Sequence, residues 1–109
     1  MARVTSSLFV AALCRRAQAA GAFATVAKRG AEEAGAIFIT VRNRDGVLRL
    51  LGPAMQLNYT SETSGERQFE TLMDGVADDV IEQRMTRERS FDPDLWQIDI
   101  EDAEGRDFL

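Results

Sequence analysis

Histidine is missing from this 109-residue chain, and cysteine occurs once. Without imidazole there is no histidine-based triad, no imidazole metal ligand and no imidazole pH switch. A single thiol permits neither an internal disulfide nor a zinc cage, and it suits a reducing, cytoplasmic setting. Proline occurs twice, and there is one tryptophan and one tyrosine. Long apolar runs are also missing. The longest near the N-terminus, Leu8 to Cys14, follows Arg3 as a signal segment would, yet spans seven residues and is closed by Arg15 and Arg16. A membrane helix needs roughly 18 apolar residues, so we expect a folded helix there and no membrane span.

What remains is 45% hydrophobic and 28% charged, the balance of a globular domain. The length supports one core, so residues 1–109 are read as a single domain. A net charge of −5 disfavours nucleic acid as a partner. The charge is uneven: residues 1–55 carry eight basic and three acidic residues, whereas 56–109 carry five basic and fifteen acidic.

Periodicity predicts a helix from Ser6 or Ser7 to about Ala20, stopped by Gly21, with Phe9, Leu13 and Ala17 on its apolar face. A strand is expected over 23–29 and a connection over 30–35. Two β-rich runs, Ile37 to Arg44 and Val47 to Leu51, flank Asp45-Gly46, the sequence of a two-residue hairpin turn. A long polar loop is expected over 54–65, then a strand over 67–73. A second helix is predicted over 76–89, burying Val76, Ala77, Val80 and Ile81. Asp92-Pro93 opens a turn, and 95–101 alternates as a strand with Trp96, Ile98 and Ile100 inward. The order is α-β-β-β-β-α-β. The expected fold is α+β, a mainly antiparallel sheet of about five strands with both helices on one face.

The two-residue turn would pair Arg42 with Arg49 and Val41 with Leu50. Aliphatic side chains would then face the core, and Arg42, Arg44 and Arg49 would share the wet face. Opposed like charges destabilise a sheet unless compensated. The outward carboxylates of Glu66, Glu70, Asp99 and Glu101 could neutralise this face; alternatively, the arginines receive an anion.

Arg16 and Arg84 fall within the apolar stripes of their helices; either their stems are buried and their heads reach the rim, with Glu88 a ready partner for Arg84, or both line one cleft. Asp92 and Asp94, beside Trp96, suit turn formation first and acid–base chemistry second. Cys14 reads as a small hydrophobe. No cofactor fingerprint or calcium-loop spacing is present, so neither cofactor nor metal is expected.

The segment from Leu8 to Val41 and the ending Phe91 to Asp102 resemble a family of short bacterial proteins, domain of unknown function family 1491. Its marks here are Arg15-Arg16, Arg29-Gly30, Glu33-Ala34-Gly35 and Asp92-Pro93-Asp94-Leu95-Trp96. The resemblance implies a standalone cytosolic domain and supplies no catalytic residue. The leading expectation is a non-enzymatic module, with an exposed sheet edge as a route to a homodimer. It would bind an acidic protein or small anion through Arg16, Arg29, Arg42, Arg49 and Arg84, with Asp92, Asp94 and Trp96 as further contacts. The alternative is an enzyme using Asp92 and Asp94 with arginines orienting an anionic substrate.

Overall fold

A computed structural model describes residues 4–54 and 67–109 of the chain. Helix α1 spans Ser6–Ala19, followed by strands β1 (Phe23–Lys28), β2 (Ile37–Arg42), β3 (Leu48–Pro53) and β4 (Phe69–Val76). Helix α2 (Asp78–Phe91) and strand β5 (Trp96–Glu101) complete the α-β-β-β-β-α-β order expected from the sequence. Glu66 and almost all of the loop expected over 54–65 lie outside the described residues.

The five strands form one sheet in the order β1-β5-β2-β3-β4. All neighbours are antiparallel except β2 and β5, which run parallel. Helix α2 makes this parallel pair possible, because it carries the chain from the edge strand β4 back past β3 and β2. Strand β5 thereby becomes central, and Trp96, Ile98 and Ile100 are at most 1% exposed.

The helices cover opposite faces of the sheet, which corrects the expectation of one shared face. Val10 and Leu13 of α1 pack on Ile37, Ile39, Val41, Leu51, Trp96, Ile98 and Ile100. Ile81 and Met85 of α2 pack on Phe38, Leu48, Leu50 and Leu95. The physical reason lies in β2: Phe38 points away from Ile37 and Ile39, so the strand needs cover on both sides, and its first five residues are all buried. Each fully buried side chain of this size contributes about 1.5–3 kcal/mol, so a wet second face would forfeit several such contributions.

The hairpin also departs from expectation. Val41 pairs with Arg49, Arg42 with Leu48 and Ile39 with Leu51, one residue out of the two-residue register. Asn43 is responsible. Its Oδ1 accepts hydrogen bonds from the N–H groups of Asp45 (2.9 Å) and Val47 (3.0 Å), while its own N–H donates to the Val47 carbonyl at 3.1 Å. The loop is therefore the three residues Arg44-Asp45-Gly46, and Gly46 alone takes positive φ (79°), as a three-residue hairpin ending in a left-handed glycine requires. A slip of one residue reverses the faces: Arg49 joins the α1 side and Arg42 the α2 side.

Two smaller boundaries differ. Thr5 caps α1, its Oγ1 accepting from the Leu8 N–H, because Ser6 is wholly buried and its hydroxyl donates to the Gly35 carbonyl at 2.6 Å. Strand β4 runs on to Val76, so α2 starts late at Asp78 and buries Ile81 and Met85, whereas Val80 stays 38% exposed.

Candidate functional site

The α1 face ends in a shallow depression of about 770 Å³, lined by Arg16, Ala19, Ala20, Arg49, Arg106, Asp107 and Phe108. Three separate parts of the chain deliver its cations. Arg16 lies in the last turn of α1, where small Ala19 and Ala20 leave the space open. Arg49 arrives because the shifted hairpin turns it to this face. Arg106 comes from the C-terminal segment, which folds around Asp102. That carboxylate, with its side chain 3% exposed, accepts from the Arg106 guanidinium at 2.8 and 2.9 Å and from the backbone N–H groups of Glu104 and Arg106. The Arg106 hydrogen bonds hold the Asp102 carboxyl well below the usual carboxylate range. The Arg106 guanidinium also stacks 4.9 Å over the Phe108 ring.

The three arginines are not equally compensated. Arg106 is taken by Asp102, with Glu104 3.6 Å away. Arg49 donates to the Gly105 carbonyl at 2.8 Å and reaches Asp107 at 3.4 Å. Arg16 donates through Nε to the Phe108 carbonyl at 3.0 Å, and has no carboxylate partner among the described residues. Asp102 and Arg106 escaped the sequence reading, since nothing marked a C-terminal loop that closes on one buried carboxylate.

The other expected site residues lie elsewhere. Arg84 bonds Glu88 at 2.8 Å on α2 and does not meet Arg16, which is on the opposite face. Arg42 reaches Asp78 at 3.5 Å. Arg29 stacks 5.0 Å over Trp96, and Trp96 is a core residue, 1% exposed, rather than a surface contact. Asp92 Oδ1 accepts from the Asp94 N–H, and the Asp92 carbonyl accepts from Leu95 N–H. These two aspartates build a turn, and no described contact or recess joins them to Arg16 or Arg84. Burial raises the Cys14 thiol above its ordinary value, as befits a packing residue.

That turn is locked to the connection over residues 30–35. The Asp94 carbonyl accepts from Ala31 N–H at 2.8 Å, Trp96 Nε1 donates to the Ala31 carbonyl at 2.8 Å, and Lys28 Nζ donates to the carbonyls of Arg29, Pro93 and Leu95. A sequence profile described as "Protein of unknown function (DUF1491)" matches residues 4–109. The chain belongs to the DUF1491 family. Its solved relatives share the fold. A solution structure of protein Atu0922 from A. tumefaciens is 50% identical, with a TM-score of 0.80 over 91% of this chain and 86% of that one. A crystal structure of a DUF1491 family protein from Caulobacter crescentus is 34% identical, with a TM-score of 0.82 over 97% and 93% of the two chains. An NMR structure of a DUF1491 family protein from Caulobacter crescentus is 36% identical, with a TM-score of 0.82 over 97% and 92%. None of the curated proteins compared with the chain matches it. In DUF1491 terms, most of the marks read from the sequence (Arg29-Gly30, Gly35, Asp92 to Trp96) converge on one architectural knot, away from the arginine depression.

Proposed function

We propose that this DUF1491 protein is a non-enzymatic binding module for a small anion, held in the depression by Arg16 and Arg49 with Arg106 at its side. The observation behind this reading is the convergence of guanidinium groups from α1, β3 and the C-terminal segment on one depression, with Arg16 lacking a carboxylate partner among the described residues. The volume falls within the usual range for small-ligand sites, about 300–1,000 Å³. A planar guanidinium fork suits a carboxylate or phosphate.

The test is an NMR titration with inorganic phosphate and, separately, citrate at low ionic strength. Saturable shifts at Arg16 Nε and the Gly105 and Phe108 amides are expected, weakened at least tenfold in Arg16→Gln. Linear, unsaturated drift with both anions would overturn the reading.

A cytoplasmic setting accords with the lone, half-buried thiol, and among the described residues no helix is long and apolar enough to cross a membrane. Strands β1 and β4 leave the sheet with two edges, and β1 exposes Phe23 and Val26, which favours pairing with a second copy. Native mass spectrometry reports this directly: a dimer disrupted by Val26→Lys supports edge pairing, and a monomer at all concentrations removes it.

A further inference from the structure

The opposite face carries a second recess. Helix α2 covers β2 to β4 and reaches Gln97 at the start of β5, but leaves Asp99 and Glu101 of β5 and Phe23 and Thr25 of β1 exposed on the same face. Between α2 and β5 lies a pocket of about 150 Å³ whose lining includes Thr40, Arg42, Asp78, Glu82, Asp99 and Glu101. Two of its four carboxylates are engaged, Asp78 by Arg42 at 3.5 Å and Glu82 by Arg89 at 2.8 Å. Asp99 and Glu101 have no hydrogen-bond or ion-pair partner among the described residues. Thr40 stands beside Asp99 in the parallel register. It is nine-tenths buried, and its hydroxyl is without a partner among the described residues.

A hydroxyl with no partner among the described residues, beside carboxylates that outnumber the one cation lining the recess, Arg42, calls for a compact, positively charged donor. Among the described residues no group of carboxylates or thiols is arranged to hold a metal ion. A primary ammonium has three N–H donors, enough for the Thr40 hydroxyl and both carboxylates. Its alkyl chain would leave past Phe23, which is 75% exposed and pairs with Glu101 across the strands. We propose that this recess binds the ammonium end of a small aliphatic amine, with Asp99, Glu101 and Thr40 as its ligands. The electrostatics agree: burial, then the Asp78 charge, push the Asp99 carboxyl above its ordinary value, Arg42 opposes them, and Glu82 and Glu101 add to the rise.

The experiment is an NMR titration of the intact protein with 1,4-diaminobutane, followed at the Thr40 and Glu101 amides and the Asp99 carboxyl carbon. Saturable shifts are expected, with the Asp99 midpoint moving to lower pH as the amine binds. Affinity should fall at least tenfold in the double variant Asp99→Asn with Glu101→Gln, and a few-fold in Thr40→Val. Equal shifts from 1,4-butanediol or from sodium chloride at matched ionic strength would overturn the proposal, as would undiminished affinity in either variant. Phosphate and citrate report on the other face, so the two proposals stand or fall separately.

Discussion

Replacing Gly30 with alanine should be among the most damaging single-methyl changes this chain can suffer. A Cβ at Gly30 would stand 2.2 Å from the Asp94 carbonyl oxygen and 2.5 Å from both the carbon and the oxygen of the Leu95 carbonyl. An ordinary carbon–oxygen contact is about 3.3–3.6 Å, so the backbone on one side must retreat by about 1 Å. The obstacle cannot rotate away, since it is main chain on the way into the central strand. Retreat breaks the Ala31 N–H to Asp94 bond, worth about 1 kcal/mol, and overpacking adds about 1–3 kcal/mol. The entropic gain from removing a glycine returns about 0.4–1 kcal/mol. The net loss is about 2 kcal/mol, a large share of the roughly 5–15 kcal/mol that holds a domain of this size together.

Urea denaturation of Gly30→Ala, followed by circular dichroism, measures this loss as a fall in midpoint at constant slope. At roughly 4 °C per kcal/mol for a chain of this length, Tm should drop by about 8 °C. Gly21→Ala is the control. Gly21 has φ of 89° and nothing within 4 Å of its added Cβ, so it bears only the left-handed penalty of about 1–2 kcal/mol. If Gly30→Ala melts at or above Gly21→Ala, the close approach of residue 30 to the Asp94 turn is not what fixes this junction.

Asn43→Ala removes the acceptor for two loop N–H groups and should cost about 1–2 kcal/mol in urea titrations, while Asn43→Asp keeps the acceptor and loses much less. Lys28→Met frees three carbonyls and should cost about 1–2 kcal/mol by the same measurement. Thr40→Val removes a buried hydroxyl that has no partner among the described residues, so its Tm should equal or exceed that of the parent. Asp102 and Asp99 should give opposite pH signatures in thermal melts. The lowered Asp102 pKa stabilises the fold fully above about pH 4, the unfolded value, and that benefit fades only gradually on acidification below it, so Asp102→Asn should be destabilising at pH 7, somewhat less so near pH 3, and harmless only at still lower pH. Asp99 is shifted upward, so its ionisation opposes folding once the pH rises past the unfolded value; Asp99→Asn should melt higher than the parent at pH 7 and equal it near pH 3.

Local signals in the sequence were reliable where the physics is local. The alternation in Trp96 to Glu101, the turn at Asp92-Pro93 and the Arg84–Glu88 pair all depend on residues a few positions apart, and all are found. The insertion of β5 between β1 and β2 depends on contacts about sixty to eighty residues apart, which no periodicity encodes. The two-sided burial of β2 did leave a mark, since Phe38 interrupts the alternation of Ile37, Ile39 and Val41. Sorting residues by parity treated that phenylalanine as facing water. The hairpin register fell between these cases, because Asp45-Gly46 fits a two-residue turn and also the end of a three-residue one. The side chain of Asn43 decides between them by capturing two N–H groups that the shorter turn would use differently.

That single-residue choice governs the charges as well. In the shorter register Arg42 and Arg49 would face each other across two strands and repel. In the observed one they lie on opposite sides of the sheet, and each finds an acid from the second half of the chain, Asp78 for Arg42 and Asp107 for Arg49. The uneven charge of the two halves is thus partly spent inside the fold. What is left over is sorted by face: among the described residues Arg16 has no carboxylate partner on the α1 side, and on the α2 side Asp99 and Glu101 share a recess whose one lining cation, Arg42, is paired with Asp78. A sheet covered by one helix on each face can keep these opposite remainders apart, with the central strands between them. The two candidate sites have opposite sign for that reason, and a single helical layer over one face would have let them neutralise each other.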